Sequence, residues 1–381
     1  MRRWTSARHR LACARRLAAA CLAMILPASA IHAQGSPTTS GSPVYRVDQS
    51  WPQRLPNNWL VGDVGGVSVD RHDHIWVVHR PGTLLPADVQ AGLTPPTAKC
   101  CVAAPPVLEF DTSGKLLRSW GGPKQVTDWF ASEHSIFADA DDNIWVLGAG
   151  AKDGQLLKFT PDGKLLLRIG RRGDFVAGDD PTMLGLPTDI YVDTKKREVF
   201  VSDGYRNKRV IVFDADTGAF KRQWTAYGKP VDPTYVSPPN QIGSRGSDNP
   251  QRFTTVHCVT MIGDELYVCD RNNERIQVFK PDGTYLREIS FNRGLGGMSG
   301  STWDAAPVPG HPDKILVLDG TNSEVAILDT HSGAVSASYQ STGRYAGQMH
   351  WPHQIAVDQE GRLYISEVGN ASRIQRFEPV K

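Results

Sequence analysis

Three histidines stand at equivalent positions of a recurring strand pattern, and their chemistry suits a metal ion. Each lies five residues before the end of a predicted short strand; the set is His134, His257 and His353. Three imidazole nitrogens with one open coordination position form a typical catalytic zinc site. A single histidine is more often a surface residue, but three in one register favour a shared metal site.

Further candidates lie in the loops that leave the second strands of the same repeats: Arg80, Arg271 and Tyr205. These loops are predicted to open on the same face as the histidines. Arginines there would bind a carboxylate through paired hydrogen bonds. The tyrosine could accept a proton from a substrate, provided that nearby cations favour the phenolate. Taken one at a time, the arginines fit equally well as solvent-exposed turn residues.

A hairpin that recurs along the chain would position these residues. The stretch "HQIAVDQEGRLYISE" (353–367) alternates apolar and polar residues around a polar turn, which predicts two antiparallel strands. A third strand follows each hairpin and ends near a large apolar residue: Phe110, Phe159, Phe213, Phe279, Leu328 and Phe377. Their spacings of 49, 54, 66, 49 and 49 residues are typical of propeller blades.

The sequence therefore predicts an all-β fold, a six-bladed β-propeller with four-stranded blades over residues 44–381. The sixth repeat lacks a fourth strand, and "VYRVDQSW" (44–51) is a strand without a hairpin of its own. Pairing between the two would close the ring and remove an exposed edge. The histidines then fall in blades 2, 4 and 6, about 120° apart on strands that line the central channel.

The first 33 residues predict an export signal, followed by a polar linker at 34–43. Six arginines accompany an apolar run that is too short to span a bilayer. The whole chain has a net charge of +2, so removal of the signal leaves a slightly acidic protein, which argues against a nucleic-acid partner. We expect a periplasmic or secreted monomer with no membrane segment after signal removal.

Four cysteines follow the predicted signal, and an oxidising compartment would permit disulfides. Cys258 and Cys269 fall on directly opposed positions of one hairpin, where the Cα atoms are expected about 5.5 Å apart. Cys100 and Cys101 form a vicinal pair in a proline-rich insertion. The sequence leaves the connectivity of these four residues open.

Several of these segments together resemble a known enzyme family. The segments "PTDIYVDTKKREVFVSDGYRNKRVIVF", "HCVTMIGDELYVCDRNNERIQVF" and "MHWPHQIAVD" are similar to peptidyl-α-hydroxyglycine α-amidating lyases, which are six-bladed NHL propellers. The resemblance implies zinc, and cleavage of a C–N bond to give a peptide amide plus glyoxylate. It further implies that His257 and His353 are metal ligands, that Tyr205 is catalytic, and that Arg80 and Arg271 belong to the active site.

Two positions depart from the pattern that the resemblance implies. Met183 stands where we expect the family's first histidine, so we predict that His134 supplies the third zinc ligand instead. Gln354 stands where the family has a carboxylate linked to a structural calcium, which makes calcium doubtful in this chain. Met183 and Trp351, next to the matched motifs, are further candidates for contact with a substrate that carries a carboxylate.

Three functions remain open at this point. The first is a zinc-dependent lyase that acts on a small molecule or peptide with a hydroxyglycine-type end. The second is a non-catalytic NHL propeller that binds a peptide, glycan or protein on its channel face. The third is a lactonase-like hydrolase centred on calcium, which is the least favoured because the sequence shows no set of rim carboxylates for that ion.

Overall fold

The computed structural model describes residues 44–174, 178–234 and 250–380. The predicted signal (1–33) and linker (34–43) lie outside the described residues. Six antiparallel four-stranded sheets make up the described chain, and their first strands contact one another in order around a ring. The predicted six-bladed, all-β propeller is thereby confirmed.

Each blade has its first strand at the channel and its last strand at the outside. Blade 1 is β3 (Asp63–Val69), β4 (Ile75–Arg80), β6 (Val107–Phe110) and β7 (Leu116–Trp120). Blade 2 is β8 (Glu133–Ala138), β9 (Ile144–Gly148), β10 (Gln155–Phe159) and β11 (Leu165–Gly170). Blade 3 is β12 (Asp189–Asp193), β13 (Glu198–Asp203), β14 (Arg209–Asp214) and β15 (Phe220–Trp224).

The remaining blades follow the same order, except that the last one takes its outer strand from the start of the chain. Blade 4 is β16 (Val256–Ile262), β17 (Glu265–Asp270), β18 (Arg275–Phe279) and β19 (Tyr285–Ser290). Blade 5 is β20 (Asp304–Val308), β21 (His311–Asp319), β22 (Glu324–Asp329) and β23 (Val335–Gln340). Blade 6 is β24 (Pro352–Val357), β25 (Leu363–Glu367), β26 (Arg373–Val380) and β1 (Val44–Asp48).

Little regular structure lies outside the blades. A parallel pair joins β2 (Trp59–Leu60) to β5 (Val102–Ala103). The helical segments of the described chain are five single 3₁₀ turns: Pro81–Thr83, Gln90–Gly92, Ala226–Gly228, Arg271–Asn273 and Gly369–Ala371. Among residues 44–174, 178–234 and 250–380, no helix has the length and apolar character needed to cross a membrane.

The core lies between the blades, where each sheet is covered on both faces. Middle strands are therefore continuously apolar: Ile75–Val78 of β4, for example, is at most 1% exposed. The six residues that marked the repeat all lie on third strands and are at most 2% exposed. Burying each of these side chains contributes about 1.5–3 kcal/mol of hydrophobic free energy, so the repeated apolar residues are the main source of cohesion between blades.

The N-terminal strand closes the ring, as predicted. β1 pairs with β26 from Val44 opposite Val380 to Asp48 opposite Arg376, and the latter two form an ion pair. Trp51 follows and is 4% exposed, with its ring 5.0 Å from that of Tyr364 in blade 6 and 5.8 Å from that of Phe110 in blade 1. The segment therefore joins the last blade to the first.

Both cysteine pairs are disulfides in the structure. Cys258 and Cys269 face each other on β16 and β17 with their Cα atoms 4.8 Å apart, closer than the separation expected from sequence. Cys100 is bonded to its neighbour Cys101. The connectivity that the sequence left open is thus two local bridges.

We predict that removal of residues 1–51 destabilises the ring far more than removal of residues 1–41. The longer deletion exposes the edge of β26 and removes the buried Trp51, whereas the shorter one leaves both in place. Thermal unfolding followed by circular dichroism would measure the difference. Equal melting temperatures for the two truncated chains would show that β1 does not stabilise the closed ring.

Candidate metal centre

Each of the three histidines is the extra residue of a β-bulge at the start of a channel strand. In β8 the pairing skips from Glu133 to Ser135, in β16 from Val256 to Cys258, and in β24 from Pro352 to Gln354. The skipped residues are His134, His257 and His353. A bulge leaves its extra residue out of the ladder and re-aims the side chain. The same device three times turns the imidazoles toward the channel axis.

A backbone carbonyl of the next blade fixes the tautomer of each imidazole. The Nδ1 of His134 lies 2.8 Å from the carbonyl oxygen of Thr188, that of His257 lies 2.6 Å from Trp303, and that of His353 lies 2.7 Å from Gly65. A carbonyl only accepts hydrogen bonds, so each Nδ1 carries the proton and donates it. The Nε2 atoms are left with their lone pairs, as a metal ligand requires.

The three rings meet in a buried cluster. Their centroids are 4.6–5.3 Å apart, and one ligand atom from each ring lies within 4.8 Å of the others. Burial lowers the pKa of all three imidazoles well below the usual value. They are therefore neutral at neutral pH, and a tetrahedral zinc would need their nitrogens about 3.4 Å apart. The donor type, tautomer and grouping fit zinc.

Tyr205 lies directly over this cluster. Its hydroxyl oxygen is 3.1 Å from Nε2 of His134 and 3.2 Å from Nε2 of His257. The loop that carries it is anchored by a fully buried ion pair, in which Arg209 donates to Asp203 at 2.8 Å. Asn207 also donates to Asp203, at 2.7 Å, so these three residues have a structural role that holds the tyrosine in place.

Two arginines face the same site with different anchoring. Arg271 donates to the Tyr205 hydroxyl at 3.4 Å, and its guanidinium stacks 4.6 Å from the ring of Trp303. Arg80 donates through Nε to the carbonyl oxygen of Glu133 at 2.6 Å. No second hydrogen bond of the Arg80 guanidinium occurs within the described part of the chain. Its remaining N–H groups are available for an anion.

One layer below the histidines, a glutamine bridges polar groups of the channel wall. The Gln354 Nε2 donates to Ser135 Oγ and to Asp189 Oδ1, both at 2.9 Å. A Cβ at Gly66 would lie 2.7 Å from the Gln354 Oε1, so only glycine fits there. The Gln354 Oε1 has no hydrogen-bond partner among the described residues. Calcium takes six to eight oxygen ligands, and at this position the chain offers one neutral amide oxygen in place of a carboxylate.

A second buried carboxyl group shares this layer. Asp304 accepts the backbone N–H of Ile355 at 2.8 Å, and burial, together with the charge of Asp189, raises the pKa of Asp304 well above its usual value. Burial also raises the pKa of Asp189 to about 6. The channel therefore separates a cationic face above the imidazoles from an acidic layer beneath them.

The other two predicted contact residues occupy different environments. Met183 is 3% exposed and packs against Gly154 and Gly173, and its role in binding stays a prediction. Trp351 is 42% exposed, with its ring 5.4 Å from that of Trp303 at the site.

Sequence reasoning missed Trp303 because blade 5 is degenerate. It lies five residues before Val308, the last residue of β20, which is the only signal that could have indicated it.

Fold and site together define a six-bladed β-propeller with a candidate three-histidine metal centre. Relatives at 23–27% identity are named as peptidylglycine alpha-amidating monooxygenases, peptidyl-alpha-hydroxyglycine alpha-amidating lyases and NHL repeat proteins. The chain is 27% identical over 325 residues to the peptidylglycine alpha-amidating monooxygenase of Rattus norvegicus, covering 81% of this chain and 30% of that protein. It thus spans less than a third of the length of that relative.

Two other relatives match over most of their own length. A probable peptidyl-alpha-hydroxyglycine alpha-amidating lyase of Caenorhabditis elegans is 23% identical over 316 residues, covering 81% of this chain and 80% of that protein. NHL repeat-containing protein 3 of Mus musculus is 26% identical over 352 residues, covering 88% of this chain and 85% of that protein. No protein-family model matches the chain.

Solved structures agree on the fold. A streptogramin B lyase structure superposes with a TM-score of 0.50 at 11% identity, covering 88% of this chain and 98% of the other. At this identity the match supports the propeller architecture alone.

We predict that His134→Ala removes most of the bound zinc, while Met183→Leu keeps it. Loss of one of three imidazoles should weaken zinc binding by at least about 100-fold, since even changes to residues behind a ligand cost 10–100-fold. Metal content of the purified variants, measured by mass spectrometry after dialysis, tests this. Full zinc in His134→Ala would exclude His134 as a ligand.

We also predict that Asp304→Asn stabilises the protein, and increasingly so as the pH rises. The folded-state pKa of Asp304 lies above the unfolded value, so the native chain loses stability as the pH rises from about 4 through the folded pKa. Asparagine keeps an acceptor for Ile355 and cannot ionise. The melting temperature of the Asp304→Asn protein should exceed that of the native chain by roughly 1–3 °C at pH 8 and by less at pH 4.5.

The matched control is Asp189→Asn, which should lower stability. Asp189 accepts hydrogen bonds from Ser135, Gln354 and the backbone of Val259, and an amide cannot accept them all. An Asp304→Asn protein that melts lower than the native chain at pH 8 would contradict the assignment of a repulsive carboxyl pair.

Proposed function

We propose that this protein is a metal-dependent carbon–nitrogen lyase that cleaves an amide of α-hydroxyglycine to a primary amide plus glyoxylate. One observation carries the proposal: the Tyr205 hydroxyl lies within 3.2 Å of two metal-competent imidazole nitrogens and 3.4 Å from Arg271. The hydroxyl thus lies between the three-histidine cluster and a cation, which supports a role for Tyr205 as the base. Two relatives are named as peptidyl-alpha-hydroxyglycine alpha-amidating lyases, which supports the same chemistry.

Zinc held by the three imidazoles would act as a Lewis acid toward an oxygen of the substrate. Arg80 and Arg271 bind the carboxylate of the hydroxyglycine and fix its orientation. The guanidinium of Arg271 also lies 3.4 Å from the Tyr205 hydroxyl. The site therefore combines a carboxylate clamp with a candidate general base.

The reaction requires two proton transfers, one from the substrate to the tyrosine and one from the tyrosine back to the substrate. The phenolate of Tyr205 removes the proton of the substrate hydroxyl, the C–O bond becomes the carbonyl of glyoxylate, and the C–N bond breaks. The same tyrosine then returns the proton to the nitrogen that leaves as an amide. Atoms and charge balance without a co-reactant.

A second candidate function is a binding propeller without catalysis. It is favoured by the match to NHL repeat-containing protein 3, which extends over 85% of that protein. A binding module has no need of stoichiometric zinc, so metal content separates the two functions.

Location outside the cytoplasm is also a proposal, because it rests on residues 1–33 alone.

We predict that Tyr205→Phe lowers the rate of glyoxylate release from an N-acyl-α-hydroxyglycine by about 10²–10⁴-fold, the usual effect of losing a general base. Folding and zinc content should be unchanged, since only a hydroxyl is lost. Tyr191→Phe, on a channel strand below the site, is the matched control and should keep full activity. An unchanged rate in Tyr205→Phe would remove this residue from the mechanism.

A further inference from the structure

A cavity of about 270 Å³ lies between blades 3 and 4, and the charge of Arg271 at the candidate active site acts on one of its lining residues, Lys208. Its lining residues come from both blades and from the loops between them: Gly178, Asn207, Lys208, Thr225, Lys229, Pro230, Val231, Asp232, Gln251, Arg252 and Phe253. The volume suits one amino-acid side chain rather than a whole ligand, because ligand sites usually enclose 300–1,000 Å³.

The cavity is connected to the site by two short stretches of chain. Lys208 follows Tyr205 by three residues, and Phe253 precedes His257 by four. Three residues of extended chain span at most about 10 Å. A peptide held with its terminal carboxylate at Arg80 and Arg271 could therefore place a nearby side chain in the cavity.

The amine of Lys208 is the unusual feature of the lining. The residue is 3% exposed, yet its amine has no hydrogen bond or ion pair with any residue in the ranges 44–174, 178–234 and 250–380. The pKa of Lys208 is lowered to about 8, chiefly by burial and also by the nearby charges of Arg271 and Arg206, while the charge of Asp270 opposes the shift. A buried cation without a partner is costly, so an incoming anion would be favoured.

The other charged residues of the cavity add to this positive character. Lys229 donates to Gln251 at 2.9 Å, and Arg252 pairs with Asp232 at 3.3 Å. Among the described lining residues there are thus three cations and one carboxylate, Asp232, which pairs with Arg252. Pro230, Val231 and Phe253 form an apolar part of the wall, and the uncharged polar residues of the lining are Asn207, Thr225 and Gln251.

We propose that this cavity is a specificity subsite for an acidic side chain in the peptide portion of the substrate, with Lys208 as the ion-pair partner of its carboxylate. The apolar wall accommodates the methylene stem of glutamate or aspartate, and the amine meets its charged end. The proposal rests on the proposed lyase function and names its substrate class: peptides with Glu or Asp at one of the two residues before the hydroxyglycine.

The test compares substrates that differ only in this charge. N-acyl dipeptides ending in α-hydroxyglycine are made with Glu or Gln at the first or second preceding residue. The native enzyme should show kcat/KM at least about tenfold higher for Glu at one of these positions, as expected for a hydrogen-bonded charge pair. Lys208→Met should abolish this preference and leave the Gln substrates within about threefold of the native value. Lys221→Met, on the outer strand of the same blade and paired with Glu198, is the matched control and should keep the preference.

A binding measurement separates failure of the subsite from failure of the lyase. Calorimetry with N-acetyl-glutamic acid α-amide and its glutamine counterpart reports on the cavity without turnover. Tighter binding of the glutamic compound that is lost in Lys208→Met supports the subsite even if no lyase activity is found. Turnover of Glu and Gln substrates at equal kcat/KM at both positions in the native enzyme, with equal binding of the two amides, overturns it.

Discussion

A hydrogen bond between neighbouring blades is the interaction on which the candidate centre depends. In each of three blades a bulged histidine donates its Nδ1–H to a backbone carbonyl of the next blade, at Thr188, Trp303 and Gly65. Even-numbered blades supply the imidazoles and odd-numbered blades supply the acceptors. The third of these bonds joins blade 6 to blade 1, so it exists only in a closed ring. The strand β1, far from the site, therefore stabilises the geometry of the ligands.

Charge is distributed in layers along the channel. The imidazoles are neutral because they are buried, and the cationic Arg80 and Arg271 lie on their open side. Beneath them Gln354 bridges Ser135 and Asp189, and the carboxyl pair of Asp189 and Asp304 forms an acidic layer. This polarity favours binding of an anion on the face that carries Tyr205, where the proposed carboxylate clamp lies.

The loops of blades 3 and 4 connect structural anchoring to recognition. The buried Asp203–Arg209 and Asp270–Arg275 ion pairs fix the loops from which Tyr205 and Arg271 project. The same blade-3 loop continues to Lys208, and the segment before β16 supplies Phe253 to the same cavity. Breaking such a buried pair would leave an uncompensated charge and would disturb both the base and the neighbouring cavity. The residues that stabilise these loops therefore also position the proposed base and the proposed subsite.

The sequence by itself determined the number of blades, the buried marker residues, the closing strand and the common register of His134, His257 and His353. All of these are local repeats, and a repeated period reports local structure directly. It did not indicate the bulges, the carbonyl partners, the role of Trp303 or the arrangement around Gln354. The histidine–carbonyl bonds join residues 46, 54 and 288 positions apart. Only the packing of one blade on the next brings such groups together, because periodicity within a blade contains no information about the side chains across its boundary.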